Sequence, residues 1–228
     1  LRTFPGAFDK VFFASFVIGI CAVLSFILVR EVTGIVRDPK KLRLIHAYPR
    51  QFKTFLASIG LLTIGNLPIA VLLLRTQESG RDISFIPLFY LFYNVSFTLF
   101  SSFAGKTADH IGERRVISYG YALLAISYLL IIYDRTLSTL AIGFVLLGIA
   151  LSFIDAAQRS YIGKLTGPEM RGGAYGLFNA AIGLGLMVAG TVGGLIWQHL
   201  GSTIALLGAV VIVVGGLILF YFHELADE

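Results

Sequence analysis

Apolar residues in this chain come in long runs without a charge, separated by short polar connections. Such runs extend from Val11 to Val29, Thr54 to Leu74, Ile83 to Gly105, Val116 to Tyr133, Thr136 to Ile154 and Gly172 to Phe222. A helix crosses about 30 Å of hydrocarbon with about 20 residues, so the first five are each sized for one crossing. The last is far too long, and folding back at Gln198-His199-Leu200-Gly201-Ser202 makes two spans of it, seven in all. Backbone groups inside lipid must be satisfied within their own segment, so the spans are helices and the fold is all-α.

Composition agrees with this reading: 57% of residues are apolar and 14% charged, which excludes an ordinary soluble domain. The surplus of positive charge does not point to nucleic acid, because it follows the spans. One set of alternate connections holds Arg30, Arg37, Lys40, Lys41, Arg43, Arg50, Lys53, Lys106, Arg114, Arg115, Arg159, Lys164 and Arg171. The other holds only Arg2, Lys10, Arg75, Arg81 and Arg135. The positive-inside rule places the first set in the cytoplasm, with the amino end outside and the carboxyl end inside. Cys21 lies within the first span and has no second cysteine to pair with; the four histidines are scattered and form no metal-ligand cluster.

The connection between the third and fourth runs is denser in special residues than a turn requires. It reads Gly105-Lys106-Thr107-Ala108-Asp109-His110-Ile111-Gly112-Glu113-Arg114-Arg115. Gly105, Asp109, Gly112, Arg114 and Arg115 resemble the Gly-x-x-x-Asp-x-x-Gly-basic loop signature of the major facilitator superfamily. The departures are Thr107 where the family has Leu, and His110 and Glu113 where it has basic residues. Asp109 is expected just ahead of the fourth helix, where the helix dipole and Arg114 or Arg115 favour an acid. A second, weaker resemblance is Pro168-x-x-Arg171-Gly172, which opens a glycine-rich helix where the superfamily repeats its loop. Thr166 and Glu169 have the spacing of a capping box, with Pro168 in the first helical turn.

The resemblance implies a twelve-helix fold. Residues 1–29 would be the last helix of the amino-terminal half, 30–53 a cytoplasmic linker, and 54–228 the six-helix carboxyl-terminal half. The linker is rich in Pro and charge, and contact with anionic lipid is its simplest role. The start at Leu1 and the odd number of spans point to a fragment. The resemblance further implies a secondary transporter of the bacterial inner membrane, moving a small solute by alternating access, with protons as the coupling ion and export as the direction. It implies no cofactor, and its first loop would act as a gate against the missing half.

Several polar residues within spans are candidates for solute or proton handling. Gly65-Asn66-Leu67-Pro68 predicts a kink before Pro68, with Asn66 either lining a solute path or bonding a neighbouring helix. Tyr90, Tyr93, Asn94 and Ser101 fall on or near one face of the third span, which fits either a binding surface or interhelical bonding. Asp155 is an acid in a mainly apolar helix and shares a face with Arg159, as a proton-coupling site or as a structural pair. Counting from Thr136 puts it in the cytoplasmic third of the membrane. Gly172, Gly176, Gly183, Gly190 and Gly194 predict a packing seam, with Asn179 as cavity lining the lesser reading. Trp197 and His199 mark the outer interface, and His223 to Glu228 a solvated tail.

The absence of a Gly-x-x-x-x-Gly-Lys-Ser/Thr loop argues against an ATP-driven pump within this chain, and no catalytic grouping of Ser, His and an acid is visible. The rival is a seven-helix membrane receptor. A retinal protein is excluded by the lack of lysine between Ser202 and Phe222.

Overall fold

The computed structural model describes residues 7–25, 48–78, 82–133 and 136–225. The described residues are helical, without strands, and fall into two units: one contains α1 (Ala7–Ser25), the other begins at Arg43. The first expected span thus appears as a helix of 19 residues, and its last residues, 26–29, lie outside the described part, as does most of the expected linker.

The second unit holds α2 (Arg50–Ile64), α3 (Ile69–Glu78), a 3₁₀ turn (Ile83–Phe85), α4 (Ile86–Ile111), α5 (Glu113–Ile132), α6 (Leu137–Leu165), α7 (Arg171–Leu200) and α8 (Ser202–Leu225). With α2 and α3 counted as one interrupted rod, six helices of this unit are long and apolar enough to cross a membrane. The chain reverses between successive spans. One end of the bundle therefore gathers the start of α2 and the α4–α5 and α6–α7 connections. This is the basic end.

Three boundaries differ from expectation. The second span starts at Arg50 rather than Thr54. Pro49 stands at its N-cap, where a missing N–H costs nothing, and no breaker follows before the apolar face begins. The third span does not stop at Gly105 but runs on as helix to Ile111. A lone interior glycine costs only about 1 kcal/mol, and Thr107 stays in the helix by donating its hydroxyl to the Phe103 carbonyl at 2.8 Å. The reversal is made by Gly112 alone, at φ +94°. Finally, the expected capping box does not form. Thr166 instead closes α6, donating its hydroxyl to the Ile162 carbonyl at 2.7 Å, and Met170 takes the N-cap position of α7.

The expected kink before Pro68 is a full interruption of residues 65–68. The fold-back in the last long run falls where predicted, at Gly201 with φ +91°. Residues 226–228 of the expected tail lie outside the described part.

Packing exchanges the leading helices of two three-span groups. The α2–α3 rod lies against α7 and α8, while α6 lies against α4 and α5, and α5 meets α8 across the middle. α6 and α4 approach most closely at Gly148, where an added Cβ would meet the Tyr93 carbonyl oxygen, Ser96 Cβ at 2.8 Å and the Phe97 nitrogen at 2.9 Å.

The glycine seam predicted on α7 is not the one that packs. A Cβ added at Gly172, Gly176, Gly183 or Gly194 would meet nothing within 4 Å, and one at Gly190 would touch only Pro68, at 3.7 Å. Glycines in close contact are Gly173, against the Tyr48 hydroxyl, and, on the face toward the α2–α3 rod, Gly185, against Thr63 Cβ at 2.8 Å, and Gly193, against Leu67 Cδ2 at 2.5 Å. Gly185 and Gly193 share a face with buried Ala174, Phe178 and Ala189, and that face, not the denser glycine stripe, meets the α2–α3 rod.

Candidate functional site

At the basic end, the last three turns of α6 tie the neighbouring helices together. Ser160 donates its hydroxyl to Glu113 Oε1 at 2.9 Å, and Lys164 Nζ lies 2.5 Å from the same oxygen. Arg114 Nε donates to the Tyr161 hydroxyl at 2.5 Å, and its guanidinium sits 5.4 Å from the Tyr161 ring centroid. Phe55 of α2 meets that ring edge-on at 4.8 Å. From α7, Tyr175 donates its hydroxyl to the Arg159 carbonyl at 2.9 Å, and Arg171 Nη2 donates to the Gly163 carbonyl at 3.2 Å.

This network redistributes the roles expected of the loop signature. Asp109 is exposed in the last turn of α4, at the helix end where the dipole disfavours an acid, and it forms no ion pair among the described residues. Glu113 instead opens α5 and is 5% exposed. The sequence signal was available: an acid directly after the glycine that ends a helix is where a following helix favours one. Gly105 is half-buried within α4, Arg115 is exposed, Gly112 makes the link, and Pro168 lies in the turn closed by the Met170 N–H on the Gly167 carbonyl at 2.9 Å. Gly172, expected in the second loop signature, is exposed on α7.

One flank of the bundle is polar and open. Asp155 accepts from Arg159 Nε at 2.9 Å, and the pair stays accessible, with side chains 45% and 52% exposed. Asp155 lies about 27 Å from the start of α6 and about 15 Å from its end, at 1.5 Å per residue. Just before the pair on α6, the Phe153 ring lies 6.1 Å from that of Phe103 on α4, and Tyr93 stands nearer the start of α4. Tyr93 belongs to an aromatic ladder with Tyr90 and Phe97, at centroid separations of 6.1 and 6.2 Å. Among the described residues Asn94 bonds within its own helix, its Nδ2 donating to the Tyr90 backbone carbonyl at 2.7 Å.

α4 thus has three faces: buried Phe89 and Ser96, exposed apolar Leu91, Val95 and Leu99, and the Tyr90, Tyr93, Asn94 and Phe97 face turned away from those apolar side chains. A helix that sets an exposed apolar face against a partly buried aromatic face carrying the Tyr90 and Tyr93 hydroxyls and the Asn94 amide is built for two different surroundings.

Asn66 belongs to the interruption, where the Tyr128 hydroxyl stands 3.5 Å from its Oδ1. Asn179 is exposed on α7. A groove of about 370 Å³ between α2 and α7, lined by Lys53, Leu56, Gly60, Ala181, Leu184 and Val188 among others, contains none of the candidate residues. Sequence reasoning also missed the buried polar pair of Tyr121 and Gln158, joined at 3.2 Å across α5 and α6. At the opposite end Trp197 Nε1 donates to Glu78 Oε1 at 2.6 Å, and Arg75 Nη1 to Ser202 Oγ at 3.2 Å, clasping α3 to α7 and α8.

Comparison with known proteins gives a consistent picture. The sequence profile described as Major Facilitator Superfamily matches residues 54–228. An uncharacterized MFS-type transporter of Methanocaldococcus jannaschii is 27% identical over 94% of this chain and 56% of its own length. The chain therefore spans about half of that relative. Multidrug resistance protein 2 of Bacillus subtilis is 28% identical over 46% of this chain and 26% of its own. Among solved structures, a peptide transporter POT in complex with alafosfalin superposes with a TM-score of 0.64 at 16% identity, covering 78% of this chain and 39% of that one. Fold and family agree on a multi-pass membrane protein from a family of transporters, and they favour neither an enzyme nor a receptor.

Proposed function

We propose, from the premise that this chain belongs to the major facilitator superfamily, that residues 54–228 are the carboxyl-terminal half of a proton-coupled exporter. Residues 1–29 would then complete an amino-terminal half, and 30–53 would link the two. The solute is moved by alternating access, across a bacterial inner membrane. The observation that carries the reading is the accessible Asp155–Arg159 pair on α6, the helix packed against α4 and its aromatic ladder. A paired acid and base at membrane depth, left open on one flank, has the chemistry to exchange a salt bridge for a proton. Export is supported by the likeness to a multidrug resistance protein, and a small amphipathic or flat solute by the aromatic face of α4.

Asp155→Asn in the full-length protein tests the coupling. Reconstituted in proteoliposomes with ethidium as a fluorescent organic cation, wild type accumulates the dye when a pH gradient is imposed. The variant inserts normally but loses gradient-driven accumulation while retaining dye counterflow. Gradient-driven accumulation at the wild-type rate in Asp155→Asn removes Asp155 from the coupling step.

A further inference from the structure

The interruption between α2 and α3 leaves backbone groups that the helix itself does not satisfy. The N–H groups of Gly65 and Asn66 turn back onto the Leu62 and Thr63 carbonyls at 3.1 and 2.9 Å, and Pro68 has none to offer. The Leu67 N–H is left over, and it is satisfied from another helix, donating to the hydroxyl of Tyr128 on α5 at 3.0 Å. Tyr128 is fully buried, and its hydroxyl has the Asn66 Oδ1 as its second partner at 3.5 Å.

The same four residues are held sterically from two further helices. Leu67 seats in the space left by Gly193 of α7. Gly65 lies so close to α8 that an added Cβ would meet Val213 Cγ2 at 2.6 Å and the Ala209 carbonyl at 3.0 Å. Bending at the interruption would have to break the Tyr128 bond, unseat Leu67 and part Gly65 from α8 together.

We propose that Tyr128 is a positioning residue that locks this interruption, so that α2 and α3 move as one rod and Asn66 keeps a fixed place in it. The interruption is a rigid joint and not a hinge. An unpaired N–H in a dry interior is costly, so one hydroxyl from α5 decides whether the joint is closed. This inference does not depend on the coupling role of Asp155 or on which solute is carried.

Hydrogen exchange of the full-length protein in lipid nanodiscs tests it. In wild type the Leu67 amide exchanges as slowly as the helical amides on either side. In Tyr128→Phe, which keeps the ring but removes the hydroxyl, exchange over residues 65–67 accelerates by about tenfold, the scale of one lost buried hydrogen bond. Tyr119→Phe, an exposed tyrosine on the same helix, changes nothing there. Fast exchange at Leu67 in wild type, or unchanged exchange in Tyr128→Phe, overturns the proposal. Should Tyr128→Phe fail to insert, spin labels at the exposed positions Leu61 and Leu74, in a cysteine-free background, decide the matter. One narrow distance distribution in both inward- and outward-favouring conditions supports the rigid joint; two distances overturn it.

Discussion

Glu113 Oε1 lies 2.5 Å from Lys164 Nζ, which joins the first residue of α5 to the last turn of α6. The carboxylate is buried while the ammonium is largely exposed, so removing the acid and removing the base are not equivalent. Glu113→Ala deletes the acceptor shared by Ser160 and Lys164 and is expected to cost about 1–3 kcal/mol, the range for hydrogen bonds to a charged group. Lys164→Ala strips the cation from a buried carboxylate, leaving it the Ser160 hydroxyl, and is expected to cost at least as much. Thermal unfolding in detergent, followed by size-exclusion chromatography, ranks the two. A smaller loss for Lys164→Ala than for Glu113→Ala would show that the Ser160 bond alone suffices for the buried carboxylate.

Gly105 and Gly112 look alike in the loop signature but occupy different backbones. Gly112 sits at φ +94°, ψ 141°, a region essentially reserved for glycine. Gly112→Ala is therefore expected to destabilise by about 1–3 kcal/mol. Gly105 is inside α4 with open space around it, so Gly105→Ala is expected to be neutral or to stabilise by up to about 1 kcal/mol. The same unfolding assay reads both signs.

Close approach of α4 and α6 predicts that Gly148→Ala costs about 1–3 kcal/mol, because the backbone atoms it would meet do not move aside as a side chain does. Gly183 is the counter-case. It faces open space on α7, so Gly183→Leu is expected to leave unfolding within about 0.5 kcal/mol of wild type. If the open stripe of α7 closes against another half during transport, the same substitution stops ethidium accumulation.

The spans, the interrupted second helix and the single-glycine reversal at Gly201 were legible because run length, Pro68 and Gly201 each act locally. The α7 seam was not. Glycine spacing defines a stripe but not what faces it, and Gly185 and Gly193 pack only because Thr63 and Leu67 are brought against them. Asp109 was misplaced for a related reason: the sequence shows a polar stretch, while where the helix stops depends on the backbone of Gly112. Lys164 and Tyr128 find their partners across 51 and 61 positions of chain, distances that local pattern does not span.

Transport by this route requires the polar face of α4 to turn to a water-filled path while its apolar face and α8 meet lipid. Accessibility of Tyr93→Cys to a membrane-impermeant thiol reagent tests this directly, in the full-length protein freed of other cysteines and compared with Leu207→Cys on the exposed apolar face of α8. The expected result is that Tyr93→Cys is modified, that ethidium slows its modification, and that Leu207→Cys stays inert. Tyr93→Cys as unreactive as Leu207→Cys would place the ladder in lipid and contradict the proposed solute path.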